Sequence, residues 1–271
     1  MERPAGLPAY RNPPIDEVAI SVQFPPIDDL SDDLIRKYWN TVRSDYPLAQ
    51  PMPRLESPVE SVEAPTPPIE LQVQMPGMVP APGRLWLVSE TDDFLVQVQN
   101  SRFIQNWRRR EAEYPYFESI NDRFRDNYRK FQQFLTDMGL PVPQVQQVEV
   151  TYINWIPNDP VTSFFKPAKY ATIVASGEDL EPEEQNWIGR YLISNEAGLV
   201  RRLYVQCLPA IRPQPPAKRG TQFALTFRAA RLDGVPDSEV AELIGSARTV
   251  IVESFTELTT DNAQESWGRF Q

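Results

Sequence analysis

Val18, Ile20, Val22 and Phe24 alternate with Glu17, Ala19, Ser21 and Gln23. That period of two predicts a strand with one face on a core and one nearer water, ended by Pro25-Pro26. The period then changes. Ser31 stands before DDLIRKYWNTV, a pattern that predicts an N-capped helix whose Asp32 and Asp33 suit the positive end of the helix dipole. Its expected buried stripe is Leu34, Tyr38 and Val42.

Three apolar runs follow, at 69–75, 85–88 and 94–99, and the polar turn-formers Ser89-Glu90-Thr91-Asp92-Asp93 separate the last two as in a hairpin. After Tyr114-Pro115, the residues Phe117, Ile120, Phe124, Tyr128, Phe131 and Leu135 recur three or four apart. This spacing predicts a long amphipathic helix, which Gly139 and Pro141 are placed to end.

A similar order comes again. Strands are expected at 147–155, 170–176, 187–194, 200–208 and 222–232, with Asn195-Glu196-Ala197-Gly198 as a hairpin turn. A closing helix is expected over 237–259, its stripe Val240, Leu243, Ala247, Val250, Ser254 and Leu258, with Ile244, Ile251 and Phe255 alongside.

The predicted class is α+β, in two similar halves, 1–143 and 144–271, each a mainly antiparallel sheet with a long helix on one face. Pro-rich stretches at 47–68 and 209–220 read as a connector and a loop. Internal duplication explains the likeness of the halves, and so does the commonness of this architecture. In element order the halves look like the TATA-binding-protein-like and helix-grip folds, an analogy that carries no function.

The segment GRLWLVSETDDFLVQVQNSRFIQNWR at 83–108, Tyr114-Pro115-Tyr116, EVTYINWI at 149–156, the opening NPPIDEVAISVQFPPI and the late Phe-Thr-Glu-Leu helix together span nearly the whole chain. This set resembles a sporadically distributed family of uncharacterised bacterial and archaeal proteins. Members of that family usually carry Asp-Gly in the first hairpin turn, where this chain has Asp92-Asp93, a departure that bears on the turn type. The resemblance implies a bacterial protein and brings no activity or ligand to any residue.

Composition narrows the chemistry. The 271 residues include no histidine and one cysteine, Cys207, in the apolar run LYVQCLP. Imidazole bases, Ser/His/Asp triads and His-paired thiols are thereby excluded within the chain, and Cys207 reads as a buried structural thiol. A net charge of −10 disfavours nucleic acid and anionic membrane surfaces as partners. The apolar runs are too short to span a bilayer and the first residues lack a secretory apolar stretch, so the chain reads as cytoplasmic. No phosphate-loop, dinucleotide or metalloprotease motif is present, and no cofactor or metal is expected.

Asn106-Trp107-Arg108 is the sharpest candidate site. A Trp flanked by an amide and a guanidinium can line a pocket, Arg108 offering paired donors to a carboxylate or phosphate. The plainer alternative puts Trp107 in the core and Arg108 against Glu111. With Trp86, Tyr152 and Trp155 these residues would wall a groove between helix and sheet. Gln97 and Gln99 are expected to make paired side-chain hydrogen bonds. Arg108-Arg109-Arg110, followed by Glu111 and Glu113, reads as a charge-mixed helix start, and Arg201-Arg202 and Lys218-Arg219 as isolated pairs. The acidic runs around Asp28, Asp29, Asp32 and Asp33, and around Glu178, Asp179, Glu181, Glu183 and Glu184, lack cation-loop spacing.

Three functions stay open. The first is a non-enzymatic protein-interaction component, accessory, immunity or antitoxin-like, whose protein partner is encoded by a neighbouring gene. The second is a small-ligand binder using the helix–sheet groove, and the third a carboxylate-dependent enzyme. Unpaired sheet edges also allow a homodimer.

Overall fold

The alternation near the start of the chain forms β1 (Ile15–Gln23), with Val18, Ile20 and Val22 fully buried. A computed structural model describes residues 6–55, 59–62, 82–157, 160–171, 173–180, 182, 185–212 and 216–270. The strand expected at 69–75 lies outside them.

Ser31 caps α1 (Asp32–Val42), its hydroxyl accepting from the Leu34 N–H. The buried stripe is Ile35, Tyr38 and Val42, while Leu34 is only partly covered. One helical position separates this stripe from the expected one, and Tyr38 anchors both.

β2 (Leu48–Pro53) then pairs with β3 (Pro82–Val88), so the first part of the Pro-rich connector is an edge strand. Its prolines sit where an outer edge needs no N–H donor. The predicted hairpin is β4 (Phe94–Gln99) against β3, and β5 (Arg102–Arg108) runs back against β4. Asp92 takes a positive φ of 57° in the hairpin turn, where the Asp92 N–H bonds the Ser89 carbonyl. Next comes α2 (Tyr116–Asp137), with all six expected stripe residues buried and Gly139 at φ 71° just past its end.

The second half begins with β6 (Gln147–Pro157). A short helix α3 (Val161–Phe164) and a 3-10 turn (Lys166–Ala171) precede a small hairpin of β7 (Ile173–Ala175) and β8 (Glu178–Leu180). The strand expected at 170–176 is therefore mostly replaced, since Lys166-Pro167 starts a 3-10 turn that runs through Tyr170. β9 (Trp187–Glu196), β10 (Leu199–Arg212) and β11 (Lys218–Ala230) form the expected meander. The loop expected over 209–220 is largely strand: Pro209 pairs with Thr221 and Arg212 with Lys218. Pro209 lies past the end of the β9 pairing at Cys207, so its missing N–H costs no ladder bond. Last come α4 (Asp237–Leu258) and the short α5 (Asp261–Ser266).

Among the described residues nine strands make one sheet in the order β2-β3-β4-β5-β1-β6-β11-β10-β9, antiparallel throughout. The fold is thus α+β, with α1, α2 and α4 on one face. Each half pairs its first strand with its last, and the two first strands pair with each other at the centre. Common descent of the halves does not follow, because layer packing selects the same order. Phe103, Phe124 and Phe131 from β5 and α2, and Phe223 and Phe255 from β11 and α4, fill the helix–sheet layer.

Candidate functional site

Successive strand residues point to opposite faces, and this disperses the six candidate residues. Trp107 and Tyr152 are buried on the helix face, where Trp107 meets Tyr114 edge-on at 5.3 Å. Trp86, Asn106 and Arg108 face away from the helices. Trp155 also faces away, at the far end of β6, beneath Arg212 at 4.2 Å. One groove walled by Trp86, Trp107, Tyr152 and Trp155 and anchored by Arg108 does not form. Trp107 fills the core, while Arg108 pairs with Asp92 across the hairpin rather than with Glu111.

On the open face the candidate polar residues form a chain of hydrogen bonds. Arg84 Nη1 and Trp86 Nε1 donate to Gln97 Oε1 at 2.6 and 2.9 Å; Gln97 Nε2 donates to Asn106 Oδ1 at 2.8 Å. Asn106 Nδ2 in turn donates to Glu17 Oε1 at 2.5 Å. Trp86 lies between two guanidinia, Arg84 at 5.7 Å and Arg108 at 5.3 Å. Burial raises the Glu17 carboxyl above its ordinary range, against the opposing pull of the Asn106 bond and the Arg108 charge. Gln97 and Gln99 do not pair with each other, and Gln99 instead holds the Leu55 backbone through its N–H and carbonyl.

That contact belongs to a strap. Residues 54, 55 and 59–62 lie across the open face, tied by Arg54 to Asn100 and by the Glu60 N–H to Gln147 Oε1 at 2.9 Å. The Glu60 carboxylate accepts from Arg202 at 2.5 Å, from Arg228 at 2.9 Å and from the Tyr204 hydroxyl. Arg228 also donates to Glu149 at 2.5 Å. Burial pushes the Glu149 carboxyl up, but Arg228 and Arg102 outweigh it and hold the group below its usual range. Sequence patterning missed this cluster, because Arg202 reads as half of an isolated pair and Glu60 as connector.

The helix face carries a cleft. Between α2 and α4, beneath residues 7–13, an apolar slot of about 80 Å³ reaches Tyr152, Leu225 and Phe255. Past the ends of β1 and β6 it adjoins a trough of about 400 Å³ that opens toward the other face at Trp155 and bears Arg11, Arg109, Arg212, Asp16 and Glu113. An irregularity in the β1–β6 register between Ile15 and Glu17 turns Asp16 toward Arg212, 2.5 Å away. Tyr152 and Trp155 are the two candidate residues that reach this region, Tyr152 in the slot and Trp155 in the trough.

Among the described residues no group of three or more Cys, Asp or Glu is placed to hold a metal ion, and no helix is long and apolar enough to cross a membrane. The open-face carboxylates Glu17, Glu60 and Glu149 are bound by amide, guanidinium and phenol donors. No protein-family model matches the chain, and no curated protein matches it in sequence.

Proposed function

We propose that the protein is a non-enzymatic interaction component whose partner is another protein, encoded by a neighbouring gene. One observation carries this reading: large apolar side chains are concentrated and exposed within 170–193. Tyr170 and Val174 are 91% and 74% exposed, and Ile173, Leu180, Ile188, Tyr191, Leu192 and Ile193 are exposed with them. Such concentrations mark interaction surfaces.

The sheet edge at the same place supports the reading. β9 is the last strand, with an outer edge unpaired among the described residues, and it contains no proline or lysine. The opposite edge strand, β2, carries Pro51 and Pro53, which blunt it against strand addition. Gly189 lets the Trp187 and Tyr191 rings close over it, since a Cβ there would stand 2.5 Å from the Trp187 ring. A partner strand added along β9 gains main-chain bonds and apolar contacts on both faces.

Co-expression with the products of adjacent genes tests this. The tagged chain is expected to retain one of them through purification, and Leu192→Lys to release it without changing the chain's own melting temperature. Retention by the Leu192→Lys chain, or binding of no adjacent product, would overturn the proposal. So would light scattering that finds a second copy of this chain in the partner's place.

A further inference from the structure

The cleft between α2 and α4 lies over the central strands β1, β6 and β11 and reaches β10 at Arg212, beyond the end of its pairing with β9, and its two parts differ in chemistry. The slot is lined by Ile15, Phe117, Leu225, Ile251, Val252 and Phe255, with Arg248 at its wall held by Glu118 at 2.6 Å, and has room for about 80 Å³. That is room for a short alkyl chain of a few carbons. The trough is cationic: Arg11, Arg109 and Arg212 stand against Asp16 and Glu113, on a chain whose net charge is −10.

The guanidinia are fixed in advance. Arg109 donates from Nε to the Ile15 carbonyl at 2.7 Å and from Nη2 to the Pro13 carbonyl at 3.1 Å. Those bonds orient it without cancelling its charge. Arg212 is held between the Trp155 ring at 4.2 Å and Asp16 at 2.5 Å. Holding both cations in place before a ligand arrives lowers the ordering cost of binding. The charged lip and apolar floor meet at Tyr10, Pro13, Tyr114 and Tyr116, which line both parts.

We infer that the cleft binds a short-chain organic anion, a monocarboxylate of about four to six carbons, with its alkyl chain in the slot and its carboxylate on Arg109 at the lip. A cation of the same shape meets three guanidinia against two carboxylates, a net positive field, and a neutral alcohol leaves the Arg109 charge unanswered. This site does not depend on a partner at β9.

Isothermal titration of the full chain with sodium hexanoate tests the inference, with acetate, 1-hexanol and hexylammonium as comparison probes. Hexanoate is expected to bind at least about tenfold more tightly than any of the three, because only it uses both parts of the cleft. Arg109→Met and Val252→Phe, one removing the charge and the other filling the slot wall, are each expected to weaken hexanoate by about tenfold or more. Val252→Phe leaves every arginine bond intact, so it reads the site even if Arg109→Met unfolds the N-terminal segment. No heat from hexanoate up to about 10 mM, hexanol or hexylammonium binding as tightly as hexanoate, or unchanged affinity in Val252→Phe would each overturn it.

Discussion

Glu60 and Arg202 are separated by 142 residues, yet Arg202 Nη1 lies 2.5 Å from Glu60 Oε2, and the Glu60 side chain has no exposed surface. Arg228 and Tyr204 share the same carboxylate. A proline-rich connector is thus pinned to the second half of the sheet by one acidic side chain. Glu60→Ala leaves the buried Arg202 guanidinium without its counter-charge, while Arg228 keeps Glu149, and breaking one side of a buried pair costs about 3–5 kcal/mol. Urea unfolding is expected to show a loss of that size. Adding Arg202→Met to Glu60→Ala recovers part of it, because one orphaned cation is gone; a double variant as unstable as the sum of the singles would contradict the shared network.

The two unusual carboxylates of the open face predict opposite pH behaviour. Glu149 titrates below its ordinary 4.5 in the folded chain, so the unfolded chain takes up its proton first as pH falls. Its stabilisation is present above pH 4.5 and lost as pH drops through the lower folded value. Glu17 titrates above 4.5, chiefly through burial, so the folded chain keeps its proton longer and stability falls as pH rises from 4.5 through the raised value. Melting curves across pH 3–8 check both. Glu149→Gln is expected to flatten the acid limb and lower stability at pH 7, whereas Glu17→Gln raises stability at pH 7 relative to pH 4.

Strand and helix periods carried most of the architecture. The Val18, Ile20, Val22 alternation and the Phe117 to Leu135 stripe landed on the buried faces of β1 and α2. The candidate site was less legible, for a reason the same periodicity contains. Trp107 and Arg108 are neighbours on β5 and so occupy opposite faces of the sheet, which bars them from being wall and anchor of one pocket. Glu60 had no local signal at all, because its partners on β10 and β11 arrive through tertiary packing. Pro209 misled in a third way, as its effect on a strand depends on whether a neighbouring strand needs its N–H.

Asn127 makes a buried polar junction on the helix side. Its Nδ2 donates to Tyr46 Oη and to Gln105 Oε1, both at 2.7 Å, and Gln105 Nε2 donates to the Leu95 carbonyl at 3.1 Å. Tyr38 closes the group by donating to the Asn127 carbonyl at 3.2 Å. Asn127→Ala removes two donated bonds in a region without water access, and a cost of about 2–3 kcal/mol follows. Denaturant unfolding should show a lower midpoint with an unchanged slope. An unchanged midpoint would mean that Tyr46 and Gln105 satisfy each other alone, which their 3.3 Å separation makes a weak bond.

The lone thiol gives a probe of unfolding. Cys207 is fully buried on β10, paired in register with Phe223 and Trp187, and burial pushes its thiol up to about 12. At pH 8 about one thiol in ten thousand is then ionised, and only the thiolate attacks a disulfide reagent. A disulfide dye at pH 8 is therefore expected to leave the native chain unlabelled and to react fully within the mixing time in strong guanidinium. Under intermediate conditions the labelling rate should follow the unfolded fraction, rising as the stability of each variant above falls. Glu60→Ala and Asn127→Ala would then label faster than the parent chain by the factor their denaturation midpoints imply. Labelling of the native chain at the denatured rate, with far-UV circular dichroism intact, would instead place Cys207 at a surface and refute its packing against Phe223.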